Sequence, residues 1–313
     1  MWKHTTRYAR CSGRNRRSRV DIDTSGATRR RAGVAAIVAS AICFGAMAIM
    51  ARFAYASGVD TITLLALRFG IAAGILVAVA LARGETWPRG KTLATLIGLG
   101  ALGYGGQAFT FFTALTLAPA GLVALLLYLY PALVAVLSAS LLHERLSAAK
   151  LLALAVALVG TVLTIGPASS ASPLGVALGI AAAAIYAVYI VAGSRLTARV
   201  PPQTMATVVI AAAGAVFLVA TLVRGPTWPR TPAGWLAVLG IAIVSTVAAI
   251  VLFFAGLERV GPTRAAVLST VEPVCTVLLA AAFLGETVAP SQLVGGSLIL
   301  CAVVLLARTA PSG

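Results

Sequence analysis

From residue 33 to residue 308 the chain alternates long apolar runs with short polar breaks. The runs are about 18 to 25 residues long, and a helix needs roughly 20 to cross the hydrocarbon of a bilayer. They fall at 33–55, 61–82, 92–115, 120–141, 149–166, 174–194, 204–223, 234–256, 263–284 and 291–308. Backbone groups in lipid must pair within their own segment, so each run is predicted as a helix. Pro119 and Pro262 stand where a proline either opens a helix or kinks one. The expected fold class is an all-α membrane protein with ten transmembrane helices.

The pattern also repeats. RGETWPR at 83–89 returns as RGPTWPR at 224–230, 141 residues later. A longer ungapped match has an offset of 142 and sets Phe111 and Phe112 on Phe253 and Phe254, Pro131 on Pro273, Glu144 on Glu286 and Leu151 on Leu293. Chance can align leucines, but paired prolines, paired glutamates at a helix end and the Trp-Pro turn point to a five-plus-five duplication. The expected organisation is a basic disordered cytoplasmic tail at 1–31, repeats at 32–167 and 168–308, and a short C-terminal tail at 309–313. Five is odd, so the second half enters the membrane from the opposite side and the two five-helix repeats are inverted. Secondary transporters use this plan, with the substrate near the midplane between the halves.

Composition agrees with a membrane solvent: 60% of residues are hydrophobic, 10% are charged, and the mean hydropathy is +1.00. Half of the net charge of +16 sits in a tail, since residues 1–31 hold ten Lys or Arg against Asp21 and Asp23. With the amino terminus inside, twenty basic residues face the cytoplasm and only Arg52, Arg224 and Arg230 face out. That asymmetry predicts both termini cytoplasmic, with anionic lipid as the neighbour of the tail. The tail has no apolar core or cleavage site of a secretory signal, and no interleaved aromatics for nucleic acid. Cys11, Cys43, Cys275 and Cys301 are too scattered for a disulfide framework or a metal cluster.

Charges within a span cost at least about 2.5 to 3.5 kcal/mol each, so those present need a reason. Arg68, in LALRFG, and Glu272, in STVEPV, are the two that sit well inside. Counted from opposite ends of their helices they differ in depth by about 5 Å. Facing one cavity, Arg68 would hold a carboxylate or other anion and Glu272 an amine or a proton. The competing readings are a private Arg68–Glu272 pair, or an Arg68 that snorkels to the surface. Tyr104, Gln107, Tyr130 and Tyr186 are the other substrate-binding candidates, with Tyr128 and Tyr189 nearby, and Phe44 is the repeat counterpart of Tyr186. Pro131 and Pro273 are expected at mid-depth as hinges or as packing kinks. Glu144 and Glu286, in matching turns, fit either helix caps or gates at opposite faces.

Gly98, Gly100 and Gly103 spell G-x-G-x-x-G inside an apolar span with no preceding strand, which suits close helix packing and not a dinucleotide. Gly295 and Gly296 read the same way. His4 and His143 are the sole histidines, and no catalytic triad, carboxylate pair or metal set is present in the sequence. No enzyme activity, cofactor or metal is therefore expected.

Taken together, CFGAMAIMARFA, LLALRFG, ALTLAPAGLVALLLYLYPALVAVLSASLLHERL and GLERVGPTRAAVLSTVEPVCTVLLAAAFLGETV resemble the EamA-type transporters of the drug/metabolite transporter superfamily. The resemblance covers residues 33–308. It implies a ten-helix inverted-repeat carrier in the inner membrane, many relatives of which export amino acids or other metabolites. The first repeat departs from the family's usual Gly before Glu by having His143. The expectation is a secondary exporter of a small polar metabolite such as an amino acid, working as a monomer or homodimer by alternating access. Proton coupling through Glu272 and uniport both fit. A multidrug exporter is the alternative among carriers; a scaffold or receptor would need larger loops.

Overall fold

The structure, a computed structural model, describes residues 14–118, 123, 126–165, 172–284 and 288–308. Among these residues all regular structure is helical. In chain order the helices are α1 (Arg14–Ala56), α2 (Thr61–Ala82), α3 (Gly90–Gly98), α4 (Gly105–Leu117), α5 (Tyr130–Leu141), α6 (Ala148–Ile165) and α7 (Pro173–Leu196). They continue as α8 (Pro202–Arg224), α9 (Pro232–Ala242), α10 (Ala249–Val260), α11 (Pro262–Leu268), α12 (Val271–Leu284) and α13 (Pro290–Arg308). Two π-helical segments join neighbours without a break: π1 (Leu99–Tyr104) between α3 and α4, and π2 (Ile243–Ala248) between α9 and α10.

Among the described residues six stretches are long and apolar enough to cross a membrane: Thr28–Ala56, Thr61–Ala82, Pro173–Leu196, Pro202–Arg224, Pro232–Val260 and Pro262–Phe283. Shorter apolar helices occupy Tyr130–Leu141, Ala148–Leu163 and Pro290–Leu305. Leu102, Leu222, Val223 and Phe283 lie exposed on the outside of the bundle. Water would penalise such a surface and lipid does not, so the chain is a multi-pass membrane protein.

Three features differ from the reading of the sequence. The basic segment read as disordered is helical from Arg14 onward, because it extends a long helix that is already nucleated. Pro131 and Pro273 do not kink a continuous helix; each lies in the first turn of its helix, where a missing N–H costs little. The chain turns just upstream, at Tyr128–Leu129 and at Ser269–Thr270, matching places in the two halves, so the run 263–284 is two helices. Pro119, Glu286, Cys11, His4 and residues 309–313 lie outside the described residues.

Hydrogen bonds fix which loops share an end of the bundle. Asp60 caps α2, its Oδ1 accepting from the backbone N–H of Ile62 at 2.8 Å and of Thr63 at 3.0 Å. The Thr63 hydroxyl donates to Asp60 Oδ2 at 2.7 Å and accepts the Thr227 N–H at 3.0 Å, docking the second Trp-Pro turn there. At the far end of α2, about 33 Å away at 1.5 Å per residue, Thr204 Oγ1 donates to Glu85 Oε2 at 2.8 Å. Helices α2 and α8 therefore lie antiparallel. Around them α6 packs on α13, α1 on α9, α10 and α12, and α7 on α4 and α5.

Small residues set the tightest crossings. A Cβ on Gly45 would stand 2.9 Å from the Glu272 carbonyl oxygen, so this glycine lets α1 cross α12 at the backbone of Glu272. Gly100 lies against the Val209 backbone of α8 and Gly103 against Tyr189. Two of the three glycines of the rejected nucleotide motif thus serve packing.

Candidate functional site

The first turn of α12 carries Glu272 and the second turn of α2 carries Arg68, and both line one cavity in the middle of the bundle. Phe44 and Met47 come to it from α1, Tyr104 from π1, Gln107 and Phe111 from α4, Tyr130 from α5 and Tyr186 from α7. All six substrate-binding candidates, Arg68, Tyr104, Gln107, Tyr130, Tyr186 and Glu272, are therefore brought together. Pro131 and Pro273 flank the cavity one residue beyond Tyr130 and Glu272. Glu144 stands at an end of the bundle, away from it.

Arg68 is 3% exposed and does not snorkel. Its Nε donates to Thr246 Oγ1 at 2.8 Å and its Nη2 donates to the Tyr104 hydroxyl at 2.8 Å. The guanidinium carbon lies 4.7 Å from the centre of the Phe69 ring, so the aromatic face offsets part of the cost of burying the charge. Arginine has five N–H donors, so three are left over. No ion pair joins Arg68 to Glu272 among the described residues. Each charge remains available to something else in the cavity.

The wall between them is aromatic. Ring centres follow one another from Tyr128 to Tyr130 at 6.2 Å, to Tyr186 at 4.8 Å, to Tyr189 at 5.9 Å and to Tyr104 at 5.6 Å. The Tyr130 hydroxyl donates to the Ala266 carbonyl at 3.3 Å and ties α5 to α11. The cavity volume is ≈ 70 Å³. An apolar cavity of about 150 Å³ is what a benzene ring occupies, so an aromatic guest enters only when the helices separate.

A model of the EamA-like transporter family matches residues 31–166 and again residues 173–308. The chain belongs to the EamA-like transporter family. The two EamA matches begin 142 residues apart and end 142 residues apart, the offset found within the sequence. An uncharacterized transporter of Archaeoglobus fulgidus is 30% identical over 278 residues, 89% of this chain and 97% of that protein. The aromatic amino acid exporter YddG of Ancylobacter novellus is 32% identical over 255 residues, 77% of this chain and 84% of that protein. A solved crystal structure superposes with a TM-score of 0.79 at 27% identity, covering 90% of this chain and 99% of the other. The chain is a transporter, as its family is, and not an enzyme.

The EamA offset also organises the site. Phe44 with Tyr186, and Tyr130 with Glu272, are counterparts that line the same cavity from the two halves. Sequence reasoning missed Thr246, a threonine in an apolar run with no motif around it. Its offset from Tyr104 is 142, and that was the signal that marked it.

Of the two gate candidates, Glu144 accepts from Lys150 Nζ at 2.9 Å through Oε1 and from Thr263 Oγ1 at 2.8 Å through Oε2. It thus joins the turn after α5 to the start of α11, one matched half to the other. The counterpart contact would pair Glu286 with Gly121, both outside the described residues. His143, whose counterpart in the second repeat is Gly285, has φ 54°, the left-handed conformation that glycine adopts without strain.

Proposed function

We propose that this transporter is a secondary carrier that exports a small zwitterionic metabolite, an amino acid in the first instance, across the inner membrane. The observation that carries the reading is the placement of Arg68 and Glu272 on one aromatic cavity without pairing to each other. A carboxylate at Arg68 and an ammonium group at Glu272 would each find a charged partner, and the tyrosine wall would hold the side chain. The name of the Ancylobacter relative, an aromatic amino acid exporter, makes phenylalanine and tryptophan the first substrates to try. The name of an Escherichia coli relative, inner membrane transporter YedA, 30% identical over 75% of this chain, supports the location.

In this reading ten spans form two inverted halves. Support comes from the antiparallel packing of the counterparts α2 and α8 and from the exchange of neighbours, α1 with α10 and α12 against α7 with α4 and α5. A two-fold axis in the membrane plane accounts for both. Both termini lie in the cytoplasm, with the basic start of α1 against anionic lipid and Glu144 gating the cytoplasmic face. Alternating access follows from exchanging the conformations of the two halves, and Glu272 can carry the proton if transport is coupled.

Export screening of overproducing cells, followed by counterflow in proteoliposomes, tests the proposal. Exchange of at least one amino acid supports it; exchange of no amino acid overturns the substrate class. The open carboxylate of Glu272 among aromatic rings also favours a second reading, an organic-cation exporter. Exchange of amines that lack a carboxylate, with no exchange of amino acids, would select it.

A further inference from the structure

Arg68 receives one ligand from each half. Tyr104 and Thr246 are 142 positions apart, the offset that matches the repeats, whereas the counterpart of Arg68 is Ile210. Tyr104 is the last residue of π1 and Thr246 lies within π2. Matched positions in the two π-helical segments thus converge on one guanidinium that has no twin.

The hydrogen-bond inventory explains why the Thr246 oxygen faces the arginine. A hydroxyl has one hydrogen, and that of Thr246 goes to the Ile241 carbonyl at 2.9 Å, five residues back. In an α-helix a threonine hydroxyl reaches the carbonyl three or four residues back; the wider π turn presents the fifth. The π register recurs in the backbone, where the Ala249 N–H bonds the Val244 carbonyl and the Gly105 N–H bonds that of Gly100. With its hydrogen committed, Thr246 Oγ1 offers only lone pairs, and the Arg68 Nε–H offers only a donor.

We propose that Thr246 is a positioning residue for Arg68, sharing with Tyr104 the task of fixing the guanidinium so that its three remaining N–H groups are presented to a carboxylate in the cavity. The two π segments exist to bring these two side chains to one point. Because one ligand belongs to each half, relative motion of the halves alters the hold on Arg68, which links carboxylate affinity to the conformational cycle. The transport arm of the test rests on the carrier reading; the stability arm does not.

In proteoliposomes with phenylalanine as the probe, Thr246→Val removes the acceptor and keeps the shape. The expected result is a KM about tenfold higher, the factor that 1.4 kcal/mol represents, with the maximal rate within about twofold. Thr246→Ser restores the wild-type KM. An unchanged KM in Thr246→Val, or no rescue by Ser, overturns the proposal. Should wild-type protein exchange no amino acid, the proposed substrate class fails by itself, and the positioning role is read from melting of the purified protein. There Thr246→Val lowers Tm more in the wild-type background than on top of Arg68→Met, where only the hydrogen bond to the Ile241 carbonyl is left to lose. Additive losses in that cycle overturn the positioning role whatever the substrate is.

Discussion

Replacing Glu144 by Gln isolates the contact between the two halves at one end of the bundle. The carboxylate takes Lys150 Nζ at 2.9 Å and Thr263 Oγ1 at 2.8 Å, and the Lys150 side chain is 6% exposed against 20% for Glu144. An exposed pair of this kind contributes up to about 1 kcal/mol, whereas breaking a fully buried one costs about 3 to 5. The intermediate exposure argues for about 2 kcal/mol. Glutamine keeps one acceptor oxygen, which the Lys150 ammonium takes, so its amide nitrogen faces Thr263 and the charge-assisted bond from that hydroxyl is lost. The part of the loss that belongs to the Thr263 contact, about 1 to 2 kcal/mol, falls on the conformation that holds this end closed, which raises the open population roughly 5- to 30-fold. A single cysteine at Met47, which lines the cavity, reports it, in a background where Cys11, Cys43, Cys275 and Cys301 are serine. Labelling by an impermeant maleimide in inside-out vesicles is expected to speed up 5- to 30-fold in Glu144→Gln, with slower labelling in right-side-out vesicles. Equal rates for the variant and its parent in both preparations would refute the gate.

Three further substitutions test how the scaffold is held. Asp60→Ala removes the α2 cap and the acceptor that orients Thr63 toward Thr227, so a loss of about 1 kcal/mol is expected in thermal melts at neutral pH. Burial raises the Asp60 carboxyl, but hydrogen bonds from Thr63, Thr227 and Ile62 outweigh it and leave the group below its ordinary value of 3.8. Its contribution is therefore complete above that value and fades as pH falls through the lower folded one, so wild type and Asp60→Ala should converge in acid. His143→Gly relieves a left-handed residue at φ 54°, and Tm should rise by the equivalent of up to about 1 kcal/mol. Gly45→Val places side-chain atoms against the Glu272 carbonyl and Cys275, and a loss of about 1 to 3 kcal/mol with impaired transport is expected. Gly70→Ala, with nothing within 4 Å of its Cβ, is the control that should melt at or slightly above the wild-type temperature, since alanine favours a helix interior.

Most of the helical layout could be read from the apolar runs, because lipid leaves a segment few alternatives to a helix. The gathering of Arg68, Glu272 and the tyrosines could be read too, since a buried charge needs partners and counting residues from each helix end gave nearly equal depths. The π segments could not. Nothing in LGALGY or IVSTVA differs from other apolar helix sequence, and the wide turn arises where Gly100 packs on α8 and where Thr246 meets Arg68. The prolines misled for a related reason: their position within an apolar run suggested a kink at the proline, whereas the preference of proline for a first turn moves the break upstream. His143 was visible as a departure from the family, and only its backbone angle shows the strain that goes with it. Thr246 was silent as a residue and visible only through the repeat.

The most direct test of the account is counterflow of a radiolabelled amino acid in proteoliposomes containing wild-type protein, Arg68→Ala or Glu272→Gln, each first shown to be folded and monodisperse. Exchange is expected in wild type, with a loss of at least about tenfold in both variants, since each removes the charged partner of one end of the zwitterion. Wild-type rates of exchange in either folded variant would contradict it.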